Sequence, residues 1–132
     1  DGHLIGSHTF THPVNFGFMN GKKVQKEIKL GHISINIQNA HNQLFRPPIG
    51  ITNPIIAKAI KNYKLHSVSW SLRSFDTVIK SEERLKKRIL SKVKGGDIIL
   101  LHDTQAVTVR ILDDLLAELK KRNFTFKAQL SS

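Results

Sequence analysis

The chain has 132 residues, no cysteine, and a formal net charge of +11 from 21 basic and 10 acidic residues. That length suits one domain with a core of its own. The lack of cysteine excludes disulfides and thiolate metal sites, so a bound metal would need His, Asp or Glu.

No run of about 20 apolar residues is present to span a bilayer. The positive charge points to an anionic partner: nucleic acid, an acidic wall polymer or a membrane surface. The plainer reading is a solvated basic face. The basic residues are spread over several segments without interleaved aromatics, which argues against a nucleic-acid reader.

The chain opens at Asp1-Gly2-His3-Leu4-Ile5, with no signal peptide, and reads as a processed product or a fragment. Gly6-Ser7-His8-Thr9-Phe10-Thr11-His12-Pro13 follows, with two histidines four apart. On a helical turn, residues at that spacing face the same way and suit one divalent metal. A surface pair is the alternative. Phe16-Gly17-Phe18-Met19 reads as an apolar patch that packs.

Val24 and Ile28 have helical spacing among Lys22, Lys23, Lys26 and Lys29, which predicts a helix over 21–30, running on to about 40. The alternation of Ile33, Ile35 and Ile37 offers a strand as the alternative. Leu44-Phe45-Arg46 reads as a short strand that Pro47-Pro48-Ile49-Gly50 ends in an extended turn. Asn53-Pro54 starts a helix, with Asn as cap and Pro at the first position. Ile56, Ile60 and Tyr63 share its inner face.

Leu65 to Trp70 reads as a strand, and Ser71 to Lys80 as a polar loop. Ser81 caps the next helix, with Leu85, Ile89 and Val93 inward and Gly95-Gly96 at its end. The run from Asp97 to His102 holds four large apolar residues, the pattern of a strand buried on both faces. Thr104 is the expected cap of a long helix carrying Val107, Ile111, Leu115 and Leu119 on one side. Phe124-Thr125-Phe126 starts a last strand.

From residue 44 the order is strand, helix, strand, helix, strand, helix, strand. That alternation predicts βα units on a parallel sheet, with chemistry at the C-terminal strand ends. Arg46, Trp70 to Arg73, and His102-Asp103 stand at those ends.

Three motifs in order resemble the polysaccharide deacetylases of carbohydrate esterase family four. His8-Thr9-Phe10-Thr11-His12 is similar to the family's His-Ser/Thr-x-x-His motif. Arg46-Pro47-Pro48-Ile49-Gly50 is similar to its Arg-Pro-Pro-Tyr-Gly motif, with Ile49 in place of the aromatic. Leu100-Leu101-His102 is similar to its Leu-x-His motif. The resemblance covers essentially the whole chain. It implies an α/β fold, a distorted (β/α) barrel of about seven units, here incomplete at the N-terminal side. Residues 1–132 would then be a single domain, the C-terminal part of a catalytic domain.

The resemblance further implies that His8 and His12 are metal ligands, of zinc or another divalent ion such as cobalt. Arg46 would orient the catalytic base, and His102 would be the general acid. Leu100 would line the pocket for the acetyl methyl. Trp70, read as core or pocket wall, and Pro48 are the other substrate-binding candidates. The implied reaction is hydrolytic removal of acetyl groups from an acetylated glycan, with N-deacetylation of a GlcNAc-type polymer favoured. The implied location is secreted or in the cell envelope.

Two departures stand out. The family's opening Asp-Asp pair, source of the base and a third ligand, has no counterpart; Asp113-Asp114 falls on a helix face. The site would then be completed by a preceding segment or another chain. Arg73 stands where the family commonly has the first Asp of Asp-x-x-Asp-Trp, with Asp76 at the second. Asp76 would then tune His102, or Arg73 would instead contact the base. The missing pair also motivates a second reading: a non-catalytic glycan-binding or interaction module.

Overall fold

The computed structural model describes residues 3–35 and 43–127. The backbone forms two compact units, one up to Ser69 and one from Trp70. Each contains parallel β–α structure around its own apolar core.

In the first unit, a short 3-10 turn at Phe16–Phe18 buries Phe16 and leaves Phe18 91% exposed. The apolar patch read from the sequence is therefore one packing residue and one exposed one. Helix α1 spans Gly21–Ser34. Its Asn20 cap accepts the Lys23 N–H at 3.0 Å, which supplies one of the unpaired donors of the first turn. Ile33 belongs to this helix and not to a strand. The rest of the 33–37 alternation, and any run on to residue 40, lies outside the described residues from 36 onward.

Strand β1 (Leu44–Phe45) pairs in parallel with β2 (His66–Ser67), Leu44 opposite His66 and Phe45 opposite Ser67. Helix α2 (Pro54–Asn62) runs between them. Asn53 caps it by accepting the Ile56 N–H at 2.9 Å, and its side-chain amide donates to the Gly17 carbonyl at 2.8 Å. Val24, Ile28, Phe45, Ile56, Ala59, Ile60 and Leu65 close on Phe16 as one core.

The second unit holds β3 (Leu72–Arg73) in parallel with β4 (Ile99–Leu100). Helices α3 (Glu82–Lys92) and α4 (Ala106–Lys121) accompany them. Ser81 caps α3 through the Arg84 N–H at 3.3 Å. Leu72, Leu85, Ile89, Val107, Ile111, Leu115 and Leu119 form the core.

Five expectations need correction here. The strand expected over 65–70 is ordered as a strand only at His66–Ser67. Part of the expected polar loop is β3. Ser71 looks like a loop residue, but its hydroxyl donates to Asp97 at 2.6 Å and accepts the Ile98 N–H at 3.0 Å, which docks β3 onto β4. The 97–102 run is half-buried and not buried on both faces, because β4 has only β3 beside it among the described residues. The cap of α4 is Gln105, not Thr104. The Gln105 N–H reaches the His102 carbonyl at 3.2 Å, so the turn before the helix closes one residue later. Finally, residues 124–127 form no strand. Phe124 instead packs against the second core.

Candidate active-site residues

In the first unit the His8–His12 segment is positioned by a single parallel bridge. Ser7 pairs with Phe45: its N–H donates to the Leu44 carbonyl at 2.8 Å, and its carbonyl accepts the Arg46 N–H at 2.9 Å. His8 is thereby set at the end of β1. Its ring Nδ1 lies 2.6 Å from the Arg46 carbonyl. A carbonyl only accepts, so Nδ1 carries the proton, and in the neutral ring Nε2 carries the lone pair.

The two histidines do not lie on a helical turn. Thr9 and His12 adopt left-handed φ values of 65° and 50°. Proline at 13 disfavours right-handed helix at the residue before it, so a helix cannot run through His12. The loop nevertheless brings the rings together, with centroids 4.7 Å apart and planes tilted by 59°. Its middle is held by Glu27 of α1, which accepts the N–H groups of Phe10 at 3.1 Å and Thr11 at 2.8 Å and the Thr11 hydroxyl at 2.9 Å.

Arg46 follows β1 directly. Its Nε donates to the Val68 carbonyl at 3.1 Å and its Nη2 to the Ser69 carbonyl at 3.3 Å. Partial burial lowers its pKa from the ordinary value. Pro48 is buried within the following 3-10 turn, where Ile49 takes the strained φ of 58° with its side chain exposed. Trp70 and Leu100 are half-buried, and Leu100 lies opposite Arg73 in the ladder.

In the second unit the structure brings Asp76 and His102 together. Asp76 Oδ1 receives His102 Nδ1 at 2.8 Å, and Oδ2 receives the His102 backbone N–H at 2.6 Å. The Thr108 hydroxyl donates to Oδ2 at 2.8 Å. The Asp76 side chain is 1% exposed, whereas that of His102 is 41% exposed and within reach of a ligand. Burial alone would raise the Asp76 pKa. The hydrogen bonds from the His102 ring, the Thr108 hydroxyl and the His102 backbone, with the attraction of the imidazole, outweigh it and hold the carboxyl below its ordinary value. Asp76 therefore stays a carboxylate that orients His102, with the proton on Nδ1.

Arg73 lies in β3, three residues before Asp76. Its guanidinium lies 4.9 Å from the Phe75 ring centre, and that of Arg88 lies 4.4 Å from the same ring. Arg88 also donates to the Ser74 and Arg73 carbonyls at 3.1 and 3.2 Å, which fixes the turn leading to Asp76.

Thr108 and Glu27 escaped the sequence reading. A buried threonine beside Val107 in an apolar helix face was the one signal for the first. Glu27, a lone acid among the lysines of α1, was the signal for the second.

The donor set suits a divalent metal in part. A histidine whose Nδ1–H is tied to a backbone carbonyl presents Nε2 in the tautomer that ligation needs. His8 and His12 would supply two nitrogens. Among the described residues there is no group of three or more His, Asp or Glu side chains placed to hold an ion.

A family model described as polysaccharide deacetylase matches residues 1–68. The chain is 29% identical to the peptidoglycan-N-acetylmuramic acid deacetylase of Bacillus subtilis, over 97% of this chain and 50% of that protein. It is 31% identical to the peptidoglycan-N-acetylglucosamine deacetylase of Bacillus cereus, over 96% of this chain and 61% of that protein. The structure is similar to a family 4 carbohydrate esterase from Streptomyces lividans, solved with acetate. The TM-score is 0.80 at 26% identity, covering 90% of this chain and 62% of the other. The chain thus spans about half to three-fifths of the length of these curated relatives.

Proposed function

This chain belongs to the polysaccharide deacetylase family, and from that we propose that it forms part of a metal-dependent hydrolase removing N-acetyl groups from a GlcNAc-type cell-wall glycan. The observation that carries the reading is the Asp76–His102 pair, a buried carboxylate holding a half-exposed imidazole in one tautomer. The rest of a distorted βα barrel, with the Asp-Asp pair, would complete the site. A cell-wall substrate places the protein in the envelope or outside the cell.

In this reading His8 Nε2 and His12 hold a zinc or cobalt ion, which when bound polarises the acetyl carbonyl and lowers the pKa of a water. Asp76 keeps one proton on His102 Nδ1. The second proton, on Nε2, passes to the sugar nitrogen as its bond to the acetyl carbon breaks. The water's oxygen bonds to the acetyl carbon while its proton passes to the catalytic carboxylate, and the acetyl group leaves as acetate. Arg46, anchored on the Val68 and Ser69 carbonyls, presents positive charge to the catalytic carboxylate. Pro48 in the first unit, and Leu100, Trp70 and Arg73 in the second, are the further candidates for contact with the glycan.

The test is acetate release from GlcNAc oligomers and peptidoglycan by the full-length protein, with and without added zinc or cobalt. His102→Ala should lower the rate by roughly 10²–10⁴-fold, the usual worth of a general acid. His8→Ala should lower it and its response to metal together. Undiminished release by both variants overturns the assignment. A second reading, a glycan-binding module without turnover, is motivated by the lack of a three-ligand group among the described residues. Glycan binding without acetate release at saturating metal would establish it.

A further inference from the structure

Two left-handed residues interrupt the loop that carries His8 and His12, so its shape has to be imposed from outside. The groups that impose it lie on one face of α1. Glu27 accepts three donors from the span between the histidines: the N–H groups of Phe10 and Thr11 on Oε2, and the Thr11 hydroxyl on Oε1. Hydrogen bonds to a charged acceptor are the strong kind. Glu27 is also the only acidic residue of α1 and takes part in no ion pair among the described residues, so its charge is directed at the loop.

One turn further along the same helix is Gly31, on the same face as Glu27. A Cβ at Gly31 would lie 2.5 Å from both the carbonyl carbon and the oxygen of Thr9. These are backbone atoms, which cannot swing aside. The helix thus approaches the loop as closely as a bare backbone allows, and bonds it at the next turn.

We propose that Glu27 and Gly31 are positioning residues for the His8–His12 pair, and that the Glu27 carboxylate clamp sets the affinity of the pair for a divalent cation. This rests on the metal reading above. Chelation by two side chains requires both rings to face one ion. His8 is oriented by the Arg46 carbonyl. His12 ends a left-handed loop whose nearest side-chain anchor is Glu27, through the adjacent Thr11.

The experiment is titration of the full-length protein with zinc by calorimetry and with cobalt by visible absorption. Wild type, Glu27→Gln, Thr11→Val, His12→Ala and the double variant His12→Ala/Glu27→Gln are compared. Glu27→Gln should weaken metal binding by roughly 10–100-fold, as expected when a group orienting a ligand is lost. It should also shift the cobalt spectrum while leaving helix content by circular dichroism unchanged. Thr11→Val, which removes one of the three bonds, should weaken binding several-fold. In the His12→Ala background the Glu27 change should add nothing, since the clamp acts through His12.

Wild-type affinity in both Glu27→Gln and Thr11→Val overturns the clamp. So does an equal further loss in the His12→Ala background, which would mark Glu27 as a general stabiliser. If Glu27→Gln fails to fold, Thr11→Val decides alone. If the wild type binds neither ion, the metal reading itself falls, a result distinct from failure of the clamp.

Discussion

Asp76 is fully buried and yet held as a carboxylate, because three hydrogen bonds converge on its two oxygens. Its pKa in the folded chain is below the ordinary aspartate value of about 3.9. A depressed folded pKa means that the unfolded chain takes up the proton first. The stabilisation is therefore fully present above about pH 4 and is lost as pH falls through the folded value. Denaturation midpoints measured against pH should show this acid loss in wild type. Asp76→Asn should lack that part of the slope. At neutral pH the variant should cost about 1–3 kcal/mol, the price of leaving buried donors poorly matched. An identical acid slope in both proteins would show that Asp76 is not the responsible group.

Helix ends in this chain carry more than local stability. Asn53 caps α2 through the Ile56 N–H and ties the preceding turn to the Gly17 carbonyl. A lost cap costs about 1 kcal/mol, and the second bond adds roughly 0.5–1.5. Asn53→Ala should therefore lower unfolding free energy by about 1–2 kcal/mol, with faster hydrogen exchange in the first turn of α2 and at Phe18. Exchange unchanged at both places would mean that neither bond contributes. The caps at Asn53 and Ser81 act within three residues, which is why they can be read without a fold. Strand β3 is the opposite case. Two residues long and preceded by serine, it exists because Ser71 and Leu72 meet Ile98 and Asp97, some 26 positions away.

Each compact unit has an apolar core of its own. Leu115, 1% exposed, is central to the second. Truncating it to Ala should cost about 2–5 kcal/mol through lost transfer energy and the cavity left behind. Hydrogen exchange should locate the loss in α3 and α4. A cost below about 1 kcal/mol would mean that the site collapses around the smaller residue. Exposed ion pairs such as Lys86–Asp114 add little to this balance, about 0–1 kcal/mol each.

Read alone, the chain's apolar spacing, its prolines and its capping residues placed the helices and the order of βα units, because those signals act over one turn of chain. Its motifs also named His8, His12, Arg46, Asp76 and His102 as the residues to watch. What they touch was not legible. The His8 ring meets the Arg46 carbonyl 38 positions on, the His102 ring meets Asp76 across 26, and Thr108 reaches Asp76 across 32. Spacing suggested a helical turn for the two histidines, and the fold replaced it with a left-handed loop held from α1. The fold likewise sets the Asp76 carboxylate against the His102 ring. A hydrogen bond depends on where two distant backbones are brought by packing, and no local pattern encodes that distance.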